Sequence, residues 1–370
     1  MADYKRNNIF GNDCFLIIAT VLVLLLVPSM KNSQATIRDL ALKLNISIST
    51  VSRALRNAPD VNPETKKAVR ELAKKLNYEP NRVAQSLRIK KTNTIGVVVP
   101  EIAMHFFSSA IGAIQEYTAK HQYSIMICQS METLRMEKSN IHMLVSNRVD
   151  GLLISLSTQT KNVDHLQQLI EKKIPIVLFD RIDNSLDVSK VVVDDRAGAF
   201  KAVEHLIHTG CTKIAYVGGP DNLYVSNERM NGYMDALRKH NLPIDESLIL
   251  HCKDLRADVG EATRSLLDRK DRPDAIFAMN DPIAIAVLQV LRQAHVAVPD
   301  EISLVGFTDE PVSQFMHPAL TTVAQPSYTI GQEAAKLLMQ QINNKEGFVP
   351  VTKVLHTELI VRESTRALKK

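Results

Sequence analysis

The sequence predicts a small all-α head followed by a large α/β body of two successive lobes, and three observations lead there. Residues 31–93 hold 14 Lys and Arg against 5 Asp and Glu, a net of +9, whereas residues 94–370 hold 29 basic and 33 acidic residues. Within the basic segment, residues 36–56 carry two short amphipathic helix patterns joined by a three-residue turn. From residue 93 onward, short apolar runs alternate with helical patterns, as in parallel sheets covered on both faces. At 370 residues the chain is too long for one ordinary domain, and its 45% hydrophobic fraction excludes a wholly disordered polymer. Trp is absent, which excludes a sugar platform built on indole rings. Cys14, Cys128, Cys211 and Cys252 lie far apart with no CxxC, so neither a Cys-based zinc site nor a disulfide framework is expected, and the cytoplasm is the expected compartment.

The first thirty residues contain one apolar run, Phe15–Val27. Thirteen residues are short of the ~20 that span a bilayer as a helix. Lys5 and Arg6 upstream fit a signal peptide, but Asp13 borders the run and Pro28-Ser29-Met30 is a poor cleavage site. We read translation as starting at Met30, with residues 1–33 outside the fold. A membrane tether is the alternative, and a secreted protein the weaker one.

The head spans residues 34–80. Thr36 precedes Ile37, Leu40, Ala41 and Leu44, which fall at i, i+3, i+4 and i+7 and form one apolar face of a helix capped by Thr36. Asn45-Ile46-Ser47 is the turn, and Asn tolerates the left-handed conformation such a turn needs. Ser47 caps a second helix, Ile48–Arg56, with Val51, Ala54 and Leu55 inward and Ser49, Thr50, Ser52, Arg53 and Arg56 outward. Asn62-Pro63-Glu64 starts a third helix, Pro63–Leu76, with a cap, a Pro at the first position and an acid in the first turn. Short hydroxyls at helix N-termini suit phosphate contacts, and Arg suits bidentate reading of guanine. The same pattern also describes a plain three-helix bundle with a solvated charged surface.

The literal strings narrow this. T-I-R-D-L-A-x-x-L-N-I-S-I-S-T-V-S-R-A-L from Thr36, then N-Y-E-P-N-R-V-A-Q-S-L from Asn77 to Leu87, closely resemble the lactose-repressor (LacI/GalR) family of bacterial transcription regulators. The resemblance runs over about residues 35–366. It implies that the second helix enters the major groove of double-stranded operator DNA, with Ile48, Ser49 and Arg53 at base-reading positions. Thr36, Ser47, Thr50, Ser52, Arg56 and Asn62 match positions near phosphates. Where the family usually has Ala-Gly in the turn, this chain has Leu44-Asn45, which can hold the same backbone shape.

Residues 81–92 are too short to be stably helical alone, and on their own residues they read as a linker. The resemblance implies a hinge helix that folds on DNA and pairs with its mate in a homodimer, with Asn81, Arg82 and Ala84 at the DNA and Leu87 wedged between base steps of the minor groove.

The body, residues 93–366, offers strands at Ile95–Val99, Ser124–Cys128, Gly151–Ser155, Ile176–Phe179, Val191–Val193, Lys213–Val217, Ala275–Met279, Ser303–Phe307, Thr321–Val323 and Lys353–Val361. Helices fall between them. The expected division is a first Rossmann-like lobe of about 93–193 plus 326–345, and a second of about 194–323 plus 350–366. The resemblance makes this a periplasmic-binding-protein-like body with a ligand cleft between its lobes.

Ligands of open α/β sheets sit beyond the carboxyl ends of strands. Asp180 and Arg181 follow one strand, Asn280 and Asp281 another, Thr308 and Asp309 a third; Phe106 and Phe107 follow the first, and Arg229 lies in the helix after GGPDN. Asp281 reads equally well as the next helix's cap. The family match favours an effector role for Asp180 and Arg229. Phe106, Phe107, Phe179, Tyr224, Phe277 and Phe307 offer aromatic faces for a polar, hydroxyl-rich effector, most simply a carbohydrate. Where the family usually has Asp, this chain has Thr308 in G-F-T-D, so either Thr308 or Asp309 is expected to take over that contact. No GxGxxG, P-loop or GxSxG is present, and His and Cys show no metal-ligand spacing. We expect neither catalytic residues, nor a cofactor, nor a metal, but an effector-controlled DNA-binding repressor.

Overall fold

The structure, a computed structural model, describes residues 35–78, 91–252, 258–344 and 347–368. The apolar run, Met30, and the hinge positions Asn81, Arg82, Ala84, Leu87 and Lys90 lie outside the described residues. Head and body are separate compact units. Among the described residues no helix is long and apolar enough to cross a membrane.

The head consists of α1 (Ile37–Leu44), α2 (Ile48–Leu55) and α3 (Pro63–Lys75). Its core is Leu40, Ala41, Val51, Ala54, Val69 and Ala73, from periodic apolar positions of the three helices, with Val61 from the loop before α3. Asn45 adopts the left-handed conformation with φ 51°, and so ends α1 as the turn requires.

In the body, lobe 1 contains β1 (Thr94–Val99), α4 (His105–Lys120), β2 (Ser124–Gln129), α5 (Leu134–Ser146), β3 (Gly151–Ile154), α6 (Asp164–Glu171), β4 (Ile176–Phe179) and β5 (Ser189–Val193). Lobe 2 contains α7 (Asp195–His208), β6 (Ile214–Gly218), α8 (Tyr224–Lys239), β7 (Ile249–His251), α9 (Asp258–Leu267), β8 (Ala275–Ala278), α10 (Asp281–Gln293), β9 (Ser303–Thr308) and β10 (Thr321–Ala324). The chain then returns to lobe 1 through α11 (Ser327–Asn343). Its Ile330, Ala334, Ala335 and Leu338 pack into the lobe 1 core beside Phe107, Ala110 and Ile114 of α4. Gly331 permits this approach: a Cβ there would stand 2.2 Å from the Ala110 carbonyl oxygen.

With β11 (Thr352–Leu355) and β12 (Glu358–Ile360), the sheet orders are β11-β5-β4-β3-β1-β2 and β12-β10-β9-β8-β6-β7. Every pairing is parallel except β10 with β12. Here the structure corrects the sequence reading. The segment expected as one strand, Lys353–Val361, is two: β11 (Thr352–Leu355) joins lobe 1 and β12 (Glu358–Ile360) joins lobe 2. The break is imposed by Asp194, whose carboxylate accepts the Thr357 amide and hydroxyl, both at 2.7 Å, and contacts His356 Nδ1 at 3.1 Å. Residues 352–355 therefore belong to lobe 1 and not to lobe 2. Two smaller differences follow from packing. Strand β7, absent from the expected strands, carries only the short run Leu248-Ile249-Leu250 and is held in register with Tyr216–Gly218 of β6. Helix α4, for which the sequence pattern predicts Ser109–His121, starts at His105 without a side-chain cap, because burying Phe106 and Phe107 fixes its first turn.

Candidate DNA-binding face and effector cleft

Local hydrogen bonding sets the outer face of the head. Thr36 and Asp39 form a reciprocal capping box at α1. Ser47 Oγ accepts the Thr50 amide at 3.1 Å and lies 2.7 Å from Ser49 Oγ and 2.8 Å from Thr50 Oγ1, so three hydroxyls gather at the N-terminus of α2. Asn62 Oδ1 accepts the Glu64 amide at 2.8 Å. Thr36, Ser47 and Asn62 are thus helix caps first. A cap also places its oxygen beside the free amides of a helix start, where phosphate binds. Ile48 is 44% exposed, although it opens a helix whose inner positions are filled by Val51 and Ala54. Arg53 is exposed and pairs with Asp60, while Arg56 donates from Nε to the Ser52 carbonyl at 3.1 Å beside the half-buried Ser52 hydroxyl.

The chain passes between the lobes at Asp194, Gln325-Pro326 and His356-Thr357. Asp180, after β4, has φ 60° and a nearly buried carboxyl group flanked by Arg181, Arg229 and Gln325. Arg229 enters from α8 and is 3% exposed. Its Nε donates to Asp195 Oδ1 at 2.8 Å, its Nη1 donates to the Met279 carbonyl at 2.7 Å, and its guanidinium stacks 3.8 Å from the Phe307 ring centroid. Helices α7 and α8 can meet this closely because residue 232 is glycine: a Cβ there would stand 2.2 Å from the Arg196 carbonyl oxygen. Asp180 belongs to lobe 1 and the Arg229–Asp195 pair to lobe 2, and the Arg229 charge favours the ionised form of both carboxyl groups.

The other expected residues divide by what already holds them. Arg181 Nη1 donates to both carboxylate oxygens of Glu132, at 2.8 and 2.7 Å, and its guanidinium lies 5.8 Å from the Phe107 ring. Asp309 is paired with Arg362 at 2.7 Å. Asn280 caps α10 by accepting the Ile283 amide at 2.9 Å. Asp281 is the first residue of α10 rather than its cap, and its buried carboxylate accepts from Thr322, Ser313 and the Glu310 amide. Phe106 and Phe107 sit in the lobe 1 core, Phe179 beside them, and Phe277 in the lobe 2 core. Tyr224 packs against both lobes.

Thr308 stands apart. Its φ is 116°, and its buried Oγ1 has no hydrogen-bond partner. Ser130 Oγ after β2, Ser155 Oγ after β3 and Asp195 Oδ2 after β5 share that condition. Buried polar atoms are ordinarily satisfied; these four end or follow strands, at the end of the sheet where ligands of open α/β folds sit.

Sequence reasoning missed Asp195, Glu137 and Asn222. Asp195 follows the run VVVD and obeyed the same strand-end rule that found Asp180. Glu137, fully buried, accepts from the Ser157 amide, Thr160 Oγ1 and His165 Nε2 and so shapes the 157–160 loop. Asn222 of lobe 2 donates to the Thr158 carbonyl of that loop at 2.9 Å, latching the lobes together. Neither left a sequence signal, since each acts through distant backbone.

Burial drives the Asp195 carboxyl up to about 6, partly offset by Arg229. Burial likewise raises Asp180, offset by Arg181 and Arg229. A carboxyl raised in the folded state stabilises the fold fully below its unfolded value of 3.8 and loses that contribution as pH climbs through about 6. Asp195→Asn, which stays neutral, is therefore expected to lose less stability than wild type between pH 4 and 7. Urea unfolding at the two pH values checks this, and parallel losses in both proteins would contradict it.

Compared with known proteins, residues 36–81 match the family profile described as bacterial regulatory proteins, lacI family, and residues 203–365 match that of the periplasmic binding protein-like domain. The chain is 32% identical over 339 residues to the HTH-type transcriptional repressor CytR of Escherichia coli (strain K12), covering 91% of this chain and 98% of that protein. Among solved structures, the transcriptional regulator CelR in complex with cellobiose is 30% identical, with a TM-score of 0.69 over 89% of this chain and 99% of that one. The lac repressor dimer bound to operator and the anti-inducer ONPF reaches a TM-score of 0.80 over 90% and 100%, at 24% identity, which is a likeness of fold.

Proposed function

Because the chain belongs to the lacI family of bacterial regulatory proteins and is a DNA-binding transcriptional regulator rather than an enzyme, we propose that it is a cytoplasmic homodimeric repressor switched by a small polar effector of the carbohydrate class. The observation that carries the DNA reading is Ile48. An apolar side chain left 44% exposed at the start of α2 serves no core, but it fits a thymine methyl group in the major groove. Ser49 and Arg53 share its exposed surface, and Arg53 exchanges Asp60 for a base edge on binding. Thr36, Ser47, Thr50, Ser52, Arg56 and Asn62 serve the phosphates. Asn81, Arg82, Ala84 and Leu87 form the hinge that pairs across the dimer.

In the body, Asp180 from one lobe and Arg229 from the other grip the effector, with Thr308 taking the place of the family's usual acid. Arg181, Asn280 and Asp309 shape the rim, and Phe106 and Phe107 support it. A carbohydrate suits unsatisfied hydroxyls and carboxyls, and the cellobiose held by CelR supports that class. A ligand bridging Asp180 and Arg229 changes lobe closure and, through it, hinge pairing. For the dimer contact we propose the face where Ile285, Leu288 and Met316 line one hollow, with Phe315 next in the chain 80% exposed.

Arg53→Ala is expected to cost about 1–3 kcal/mol at a preferred DNA site and to relax base preference at one position, whereas Lys90→Ala weakens binding evenly across sequences. Sites selected from a random pool by the wild-type chain provide the measurement. Undiminished preference in Arg53→Ala would sink the recognition-helix assignment.

A further inference from the structure

At the C-terminal ends of α7 and α8 in lobe 2, Glu204, His208 and His240 hold their ligating atoms within 4.8 Å of one another. Glu204 and His208 stand one turn apart on α7 and share a face. His240 ends α8, with its Nε2 3.0 Å from Glu204 Oε1 and its ring edge-to-face with His208 at 5.4 Å between centroids. We propose that these three side chains form a binding site for a divalent transition-metal ion of the zinc class.

The donor set argues for that class. Two imidazole nitrogens and one carboxylate suit zinc and its borderline neighbours, whereas magnesium and calcium take oxygen donors. Three protein donors leave a fourth position for water. His208 is exposed and the other two are half-buried, so an ion reaches them from solvent. The site went unseen in the sequence because its third donor lies on the next helix, brought in by the α7–α8 packing that Gly232 allows.

Lys239 gives the proposal its sharpest consequence. Its ammonium lies 2.8 Å from Glu204 Oε1 and 5.0 Å from the Phe200 ring centroid. Ammonium and metal ion draw on one carboxylate, so the positive charge of Lys239 opposes an ion bound at Glu204. Lys239 thereby limits the affinity. The ion would clasp the C-terminal ends of the same two helices whose N-terminal halves carry Asp195 and Arg229.

The test is Zn2+ titrated into the full chain against a chromophoric chelator, with the visible absorption of bound Co2+ as a second readout. Wild type is expected to bind a single ion at this site. His208→Ala and His240→Gln should each weaken binding by about 10–100-fold or more, since even changes to groups supporting a metal ligand have effects of that size. Lys239→Met should strengthen it, which chance binding to surface histidines would not do. Circular dichroism verifies that the variants are folded. Zinc affinity unchanged in both histidine variants, no strengthening in Lys239→Met, or no zinc bound by wild type each overturns the proposal.

Discussion

Arg229→Ala is expected to lower the stability of the body by about 3–5 kcal/mol at neutral pH, the usual consequence of removing one partner from a buried ion pair. The guanidinium fills a space 3.8 Å above the Phe307 ring, satisfies the Met279 carbonyl and neutralises Asp195. Alanine leaves a cavity, an unpaired carbonyl and a buried carboxyl group with no cation beside it. The loss has a pH signature. Asp195, already pushed up to about 6 with Arg229 present, rises further without it and takes up a proton on acidification. The variant should therefore be closest to wild type below pH 5 and furthest from it above pH 7. Urea unfolding of the full chain across that range measures the difference, and a deficit independent of pH would mean that Asp195 does not feel Arg229. The head is a separate compact unit, so its helix content should survive the change.

What the sequence made legible is what short-range chemistry decides. The three head helices begin at Thr36, Ser47 and Asn62, whose caps close over two or three residues. The turn at Asn45 rests on one residue's tolerance for positive φ. The central strands of lobe 1 are β-branched or leucine-rich runs buried on both faces, the pattern that buried parallel strands carry. The misread elements are those whose shape is set from elsewhere. Nothing within residues 353–361 says that the segment breaks; the break comes from the Asp194 carboxylate, far back in the chain. Strand β7 likewise is held by its register with β6.

The cleft divides along the same line. Asp180 and Arg229 stood out in the sequence because one ends a strand and both match family positions. Asp195 was not picked out, since its importance lies in a partner on another helix. For the pair Thr308 and Asp309 the sequence left two candidates. The structure separates them by what each already touches: Asp309 is held by Arg362, while the Thr308 hydroxyl is buried with no partner. Which of two polar neighbours is free depends on a third residue at the far end of the chain, and no local pattern encodes it.

Asp180→Asn is expected to remove the response of DNA binding to the effector while leaving ligand-free DNA affinity as it is. Asparagine is the informative replacement. It keeps the size of the side chain and tolerates the backbone at φ 60°, whereas alanine would add strain at a left-handed position. What changes is the charge and one acceptor. A hydrogen bond to a charged group contributes about 1.5–3 kcal/mol, so ligand affinity should fall roughly ten- to hundredfold. Removing that negative charge leaves Arg181 and Arg229 each with its own carboxylate, Glu132 and Asp195, and takes away only the attraction both exert on residue 180. The DNA contacts belong to the head, which does not depend on Asp180 for its fold. A screen of sugars, sugar phosphates and nucleosides against the wild-type chain supplies the ligand; calorimetry then gives its affinity for Asp180→Asn, and fluorescence anisotropy on labelled DNA gives the response. An Asn variant that binds the ligand and releases or gains DNA as wild type does would take Asp180 out of the effector site, and the lobe-bridging mechanism would then have to rest on Arg229 and Thr308 alone.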